Sequence, residues 1–222
     1  NTRSIDVFAP NFAPLPLVTT FDVFPSTWRV ENPDNEIGWE ISNTGPGHGN
    51  ALELNCFDYE TSGESDILYS PVFDLSSAPT ALLTFYAAHA SVGTKDALRI
   101  VVLTDCNSDI YNGTEIYNKQ SDILATGDAF NMRFVPEPDE WRKEIVSLYD
   151  FVGESHVQLA FIGINDYGNS IYLDNITVIQ DEVIDITLLQ VLSPSPVTCD
   201  QHPNLQLGIK NTGSVSIVDF DV

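Results

Sequence analysis

Basic residues are scarce in this chain of 222 residues: nine Lys and Arg face 32 Asp and Glu, and the formal net charge at pH 7 is −23. No Lys or Arg occurs between Arg29 and Lys95. A field of this sign repels the phosphates of nucleic acids and the headgroups of anionic lipids, so neither is an expected partner. Divalent cations are the natural counter-charge, although acidity by itself also serves solubility.

Cysteines and long apolar runs are also few. The three cysteines, Cys56, Cys106 and Cys199, have no metal-binding spacing, and their odd number leaves at least one thiol free. A Cys56–Cys106 bridge is one possibility that spacing alone does not decide. No apolar run is long enough to span a bilayer, so membrane insertion is not expected. Because no signal peptide opens the chain and it stops in mid-pattern at Val222, we expect a piece of a longer protein.

Motifs of catalysis are missing as well. The chain has no GxSxG, HExxH or GxxxxGK pattern and no DxDxDG calcium loop. Its four histidines occur singly, which is typical of surface or core residues. A glycosidase needs two facing carboxylates, but in so acidic a chain any pair can be nominated. We therefore expect a chain that is not itself an enzyme; a parent protein with a separate peptidase domain is compatible with this.

Short strands punctuated by Gly, Pro and Asn dominate what is present. The clearest candidates cover residues 51–57, 81–88, 97–103, 141–148, 157–164 and 171–178. No sustained 3.6-residue apolar period accompanies them, and 43% hydrophobic residues are enough for a packed core. The sequence predicts an all-β fold, an antiparallel β-sandwich.

The last of these strands carries the first indication of a site. Alternation along a strand places Tyr172, Asp174, Ile176 and Val178 on one face. Asp174 is then in register with a mostly apolar set. A carboxylate in that position must be paired, hydrogen-bonded or bound to a metal, because a lone buried charge is too costly.

The composition changes near both ends of the chain. Residues 1–16 carry three prolines and no clear period, which favours a linker or edge segment. Residues 17–181 form the predicted sandwich. Residues 182–222 alternate like the opening strands of an immunoglobulin-like domain, but about 40 residues are too few for a fold that needs about 100. We expect a truncated second β-domain there.

Three blocks resemble a known family. They are YGNSIYLDNITV at 167–178, FDVFPSTWRVENPDNEIGWE at 21–40 and SDILYSPVFDLSSAPTALLTFYAAHA at 65–90. In this order they are similar to the MAM-like jelly-roll modules of secreted bacterial proteins, of the choice-of-anchor J or cleaved-adhesin type, over roughly residues 15–180. The resemblance implies a jelly-roll sandwich, a secreted or cell-surface location, and neighbouring peptidase, immunoglobulin-like or sorting domains. It also implies structural calcium in many members.

Calcium prefers 6 to 8 oxygen ligands, and four residues match acidic or amide positions of the family: Asp22, Asp34, Asn35 and Asp174. First and last strands of a jelly roll are commonly neighbours, so Asp22 and Asp174 are expected to approach each other. Their charges would repel unless a cation joined them. The alternative is that these side chains make only turn and backbone hydrogen bonds.

The expected function is adhesion or substrate targeting, with a glycan or an extracellular protein as ligand. Trp28, Trp39 and Trp141 are candidate stacking platforms, but most tryptophans of small β-domains are core residues. The surface candidates are therefore Tyr59, Asp66, Tyr167 and Asn169. The alternative function is a structural spacer that positions neighbouring domains of the same polypeptide.

Overall fold

The computed structural model of the chain describes residues 12–47, 49–105, 109–128, 132–180, 186–193 and 206–211. Within these ranges thirteen strands follow one another: β1 Leu17–Thr19, β2 Arg29–Glu31, β3 Trp39–Ser42, β4 Ala51–Leu54, β5 Ser65–Tyr69, β6 Leu82–His89, β7 Ala97–Thr104, β8 Thr114–Gln120, β9 Arg142–Ser147, β10 Val157–Ile164, β11 Ile171–Ile179, β12 Ile186–Ser193 and β13 Gln206–Asn211. The helical elements are short: α1 Ser121–Leu124 and three 3₁₀ turns at Ile110–Asn112, Pro138–Glu140 and Tyr149–Phe151.

Two antiparallel sheets form the sandwich. The first has the order β3-β4-β11-β6-β9, and β1 pairs with β11 beside β4. The second has the order β2-β5-β10-β7-β8. The outermost strands are thus β3 and β9 in one sheet and β2 and β8 in the other. The predicted antiparallel β-sandwich is confirmed.

The main core lies between the sheets, where the inward side chains of both interdigitate. The first sheet contributes Leu52, Leu54, Leu83, Phe85 and Leu173, and the second contributes Leu68, Leu98, Ile100, Leu159 and Phe161. Each of these residues is at most 1% exposed. Each Å² of apolar area that is buried on folding contributes about 25 cal/mol to the free energy of unfolding. This layer is therefore the main source of that free energy.

The outer face of the first sheet carries a smaller cluster that bears on the candidate site. Phe134 and Trp141 fold over Ala88 and Tyr172, so that this face is partly covered. The uncovered part lies towards β3 and β4.

Strand β11 departs from the expected alternation. Ile171, Leu173, Ile176 and Val178 all face the main core. A register shift, or β-bulge, falls between Asp174 and Thr177, where Asn175 has φ 50°. The extra residue moves the alternation by one position, so the prediction that Asp174 shares a face with Ile176 and Val178 is wrong.

Other predictions concern the polar stretch before β9, the C-terminal residues and the cysteines, and some of these residues lie outside the described ranges. The polar stretch 105–134, which holds none of the clearest strand candidates, includes the edge strand β8. Strands β12 and β13 pair with each other, and the immunoglobulin-like character of 182–222 stays a prediction. Cys56 is a buried free thiol, whereas Cys106 and Cys199 lie outside the described residues. Within the described ranges, no helix has the length and apolar character needed to cross a membrane.

Candidate functional site

A polar cleft of about 580 Å³ opens on the outer face of the first sheet. Residues 36–38 and 40–43 line it along β3, Glu53 and Asn55 line it from β4, and Arg133 closes one side. No aromatic side chain is among these lining residues. Its carboxylate, amide, hydroxyl and guanidinium groups can both donate and accept hydrogen bonds.

Glu53 is the most tightly held of these groups. Although it is only 6% exposed, it receives three hydrogen bonds from the Arg133 guanidinium, at 3.1 and 2.8 Å to Oε1 and at 2.7 Å to Oε2. The Ser170 hydroxyl donates to Oε1 at 2.8 Å, and the Tyr172 hydroxyl lies 3.0 Å from the same oxygen. Buried charges survive when they are paired in this way. Glu53 therefore fixes the cleft floor rather than offering a free acid.

Glu40 is different. It lies directly opposite Glu53 in the β3–β4 register, so the two side chains share the outer face. Glu40 is exposed, and within the described part of the chain it forms no hydrogen bond or ion pair. Its carboxylate is free to meet a ligand.

The charge of Asp22 acts on Asp174, so the two carboxylates are near each other. Asp22 follows β1 rather than lying on it, and β1 pairs with the end of β11. Asp174 is 4% exposed, and its Oδ1 has no hydrogen-bond partner among the described residues. Burial first, and then the charge of Asp22, raise the pKa of Asp174 to about 7 against the opposing hydrogen bond from the Asn175 N–H.

Asp34 lies elsewhere, in the turn between β2 and β3. Its Oδ2 accepts from the Tyr59 hydroxyl at 2.6 Å and its Oδ1 from the Glu36 N–H at 3.0 Å, and these bonds lower the pKa of Asp34. Asp66, on β5, is fully buried, and burial together with the charges of Asp34 and Glu64 raises its pKa to about 7. Neither carboxylate oxygen of Asp66 has a partner among the described residues.

The predicted metal set is thus divided. Asp22 and Asp174 form one pair, and Asp34 is hydrogen-bonded to Tyr59 and Glu36. The described residues contain no group of three or more His, Cys, Asp or Glu that could hold a metal, so the three aspartates do not form one site. Asn35 has φ 59° and donates its N–H to Asn32 Oδ1, which is the role of a turn residue.

The predicted ligand-binding residues also separate. Tyr167 is 53% exposed, but it does not line the cleft. Asn169 is fully buried, where its Oδ1 accepts from the Phe134 and Ser170 N–H groups. Tyr59 is 1% exposed. Asn169 and Tyr59 are therefore structural residues rather than surface contacts.

The tryptophans are core residues, as most tryptophans of small β-domains are. Trp28, Trp39 and Trp141 are 4%, 3% and 8% exposed, so none is a stacking platform. Sequence reasoning missed Glu40, Glu53 and Arg133. The available signal was Glu53, a charged residue in the otherwise apolar strand ALEL at 51–54.

No family model matches the chain, and no curated protein matches it. Solved structures do match. The K1 cleaved adhesin domain of Lys-gingipain from Porphyromonas gingivalis W83 is 18% identical, with a TM-score of 0.58 over 76% of this chain and 99% of that domain. The K2 domain of Lys-gingipain is 18% identical, with a TM-score of 0.56 over 75% and 99%. The K3 domain from the same strain is 15% identical, with a TM-score of 0.54 over 73% and 97%. The chain therefore has the β-sandwich fold of these domains.

Proposed function

We propose that this chain is a non-catalytic extracellular binding module whose outer-face cleft takes a glycan. The observation that carries the proposal is the composition of the cleft, in which Glu40, Asn55 and Arg133 surround a space of about 580 Å³. That volume is in the usual range for ligand sites, and such groups match the hydroxyls of a sugar. The fold shared with cleaved adhesin domains supports an adhesive role.

The same cleft argues against catalysis. Glycoside hydrolysis needs two carboxyl groups that are free to act as acid, base or nucleophile. Of the facing pair, Glu40 is free but Glu53 is occupied by donors from Arg133 and Ser170. Glu36 also lines the cleft, and its Oε2 accepts from the Thr61 hydroxyl at 3.3 Å, so Glu40 is the lining carboxylate without a hydrogen bond among the described residues.

The test is a glycan array followed by titration calorimetry of the best ligand. Glu40→Arg should weaken binding at least tenfold, because it removes an acceptor and adds bulk within the cleft. Asp150→Arg makes the same change of charge at an exposed 3₁₀ turn outside the cleft and should leave the affinity unchanged. Glycan binding that survives Glu40→Arg would place the ligand elsewhere.

A structural spacer is the second candidate, and the lack of an aromatic ring in the cleft favours it. Sugar sites commonly stack rings on aromatic side chains, and here that surface is missing. The spacer predicts no binding to any glycan or extracellular matrix protein at high module concentration. Binding to a matrix protein alone would instead identify a protein ligand.

We also propose that calcium joins Asp22 and Asp174. The fit rests on the orphaned Oδ1 of Asp174 and on the neighbouring negative charge, which a cation would neutralise. Two carboxylates leave the remaining ligands to carbonyl and amide oxygens, which calcium accepts. The cation would fasten β1 to β11 beside the bulge.

Calcium at about 100 times its Kd would add about 2.7 kcal/mol of stability. Chelation should therefore lower the Tm by several degrees, and Asp174→Asn should reduce that response. Asp74→Asn, in an exposed turn, is the matched control. Equal melting curves in calcium and in sodium at matched ionic strength would contradict the site.

A further inference from the structure

The cleft on the outer face of the first sheet carries an excess of negative charge. Its lining includes three glutamates, Glu36, Glu40 and Glu53, and one basic residue, Arg133. Apart from Arg133, the lining residues all come from residues 36–55, a part of the chain with no Lys or Arg. A concave surface of one charge sign raises the local concentration of ions of the opposite sign. The cleft therefore favours a ligand with a positive charge.

The positive charge of Arg133 is already balanced within the protein. Its Nε and Nη2 donate all three of the hydrogen bonds to the buried carboxylate of Glu53. Breaking a buried ion pair is costly, so an acidic group of a ligand is not expected to displace Glu53. Arg133 Nη1 makes no hydrogen bond in the described structure, and it can donate to a neutral hydroxyl.

Two lining carboxylates have no cation beside them. Glu40 is exposed on β3 and has no hydrogen bond or ion pair in the described part of the chain. Glu36 is exposed in the turn before β3, and its side chain accepts from the Thr61 hydroxyl at 3.3 Å. A hydroxyl donor leaves the charge of a carboxylate in place. The pair Glu36 and Glu40 is thus available to a cationic group.

The absence of an aromatic ring from the lining also bears on the charge of the ligand. A neutral sugar without a stacking surface would exchange hydrogen bonds to water for hydrogen bonds to protein, and the net gain of such an exchange is small. A hydrogen bond from an ammonium group to a carboxylate is roughly twice as strong as one between neutral groups. Charge can therefore supply affinity that stacking does not.

We infer that the glycan of this cleft is an amino sugar, whose free ammonium group donates to Glu40. Glu36 adds to the attraction, and Arg133 Nη1 and the Ser42 hydroxyl, which lies on the same face of β3 as Glu40, bind the hydroxyls of the sugar. The inference rests on the proposed function, because it names the class of glycan that the cleft takes. The same carboxylates repel uronic acids and sulfated sugars.

Two oligosaccharides with one backbone test the role of the ammonium group. They are a β-1,4-linked glucosamine tetramer and its fully N-acetylated form, in which a neutral amide replaces each amine. In weakly acidic buffer, titration calorimetry should show at least fivefold tighter binding of the free amine. Fivefold corresponds to about 1 kcal/mol, the upper end of what an exposed ion pair contributes. Added salt should weaken the binding of the amine form more than that of the acetylated form. A uronic acid tetramer should not bind.

Variants of the two glutamates assign the preference to the cleft. Glu40→Gln keeps the size of the side chain and a hydrogen-bond acceptor but removes the charge, so it should lose most of the preference for the free amine. Glu40→Gln combined with Glu36→Gln should abolish the preference and leave the affinity for the acetylated tetramer unchanged. Asp150→Asn removes a charge from the exposed 3₁₀ turn outside the cleft and should retain the preference.

The outcomes separate this inference from the proposed function. Equal affinity of the wild type for the two tetramers, or a preference that the double variant retains, overturns the inference. If Glu40→Arg still abolishes glycan binding in that case, the proposed function stands without it. If no glycan binds, both fail. A tetralysine peptide that binds the wild type while neither tetramer does would likewise overturn both and identify a cationic protein segment as the ligand.

Discussion

Buried carboxylates in this sandwich differ in how completely their oxygens are hydrogen-bonded. Asp96, which is fully buried, accepts from the N–H groups of Asp166 and Asn169 at 2.8 and 3.0 Å and from the Thr94 hydroxyl at 2.9 Å. Asp66 and Asp174 have orphaned oxygens instead. The contrast separates a residue that holds a loop from residues whose carboxylate oxygens have no partner in the described structure.

His89 should make stability depend on pH. Its Nδ1 lies 3.2 Å from the Ser170 carbonyl, which can only accept, so Nδ1 carries the hydrogen and the buried Nε2 has no partner in the described structure. Burial lowers the pKa of His89, against the opposing influence of that hydrogen bond and of Asp96. As pH falls through about 6.5, the unfolded chain gains a proton that the folded chain refuses, so stability decreases.

His89→Asn retains a donor and does not titrate. We expect urea unfolding at pH 7.5 and 5.5 to show a larger loss for the wild type than for the variant. Equal losses would mean that His89 is protonated as readily in the folded chain as in the unfolded chain.

Gly168 should not tolerate a side chain. A Cβ at this position would overlap Asp96 Oδ2 and Thr94 Oγ1, both of which belong to the satisfied loop network. Gly168→Ala should reduce the free energy of unfolding by about 1–3 kcal/mol or more, because the loop must move. Ser62→Ala, in a neighbouring exposed turn, should stay within about 0.5 kcal/mol. Denaturant titration measures the free energy of unfolding of the two variants. Equal values would mean that the loop around Gly168 is not tightly packed.

At the scale of elements, β11 organises the molecule. It pairs with β6 along one edge and with β4 and then β1 along the other. The bulge at Asn175 lies where β4 gives way to β1, and it directs Asp174 out of the main core. β11 therefore joins three other strands of the first sheet.

Leu173→Ala tests the importance of this strand. Leu173 is fully buried in the main core, so truncation should cost about 2–5 kcal/mol. Ile145 lies on edge strand β9 with 65% of its surface exposed. Ile145→Ala should cost less than about 1 kcal/mol, which is the span of strand propensity. Equal costs in chemical denaturation would contradict the assigned core.

The strands themselves were largely readable from the sequence, because alternation and turn residues are local signals. Residues 157–164 and 97–103, for example, match β10 and β7 almost residue for residue. The bulge was not readable, since a single inserted position leaves the composition of β11 unchanged. The cleft could not be predicted either, because Glu53 and Arg133 are 80 residues apart in the sequence and come into contact only in the folded chain.

At the scale of the whole molecule, the net charge of −23 opposes folding through self-repulsion. With a chelator present, raising the salt concentration from about 0.01 M to about 0.1 M shortens the Debye length from about 30 Å to about 10 Å. The Tm should therefore rise with salt. Choline chloride should act as well as sodium chloride if screening is the cause, and calorimetric melting curves compare them. A rise with sodium alone would indicate ion binding instead.

Four of the nine basic residues lie on strands at the ends of the two sheets. Arg29 lies on β2, Lys119 on β8, and Arg142 and Lys143 on β9. Lysine and arginine on an outermost strand discourage a second sheet from adding to it. Copies of this sandwich that are linked to one another at high local concentration would then remain separate domains and would not associate into a fibre.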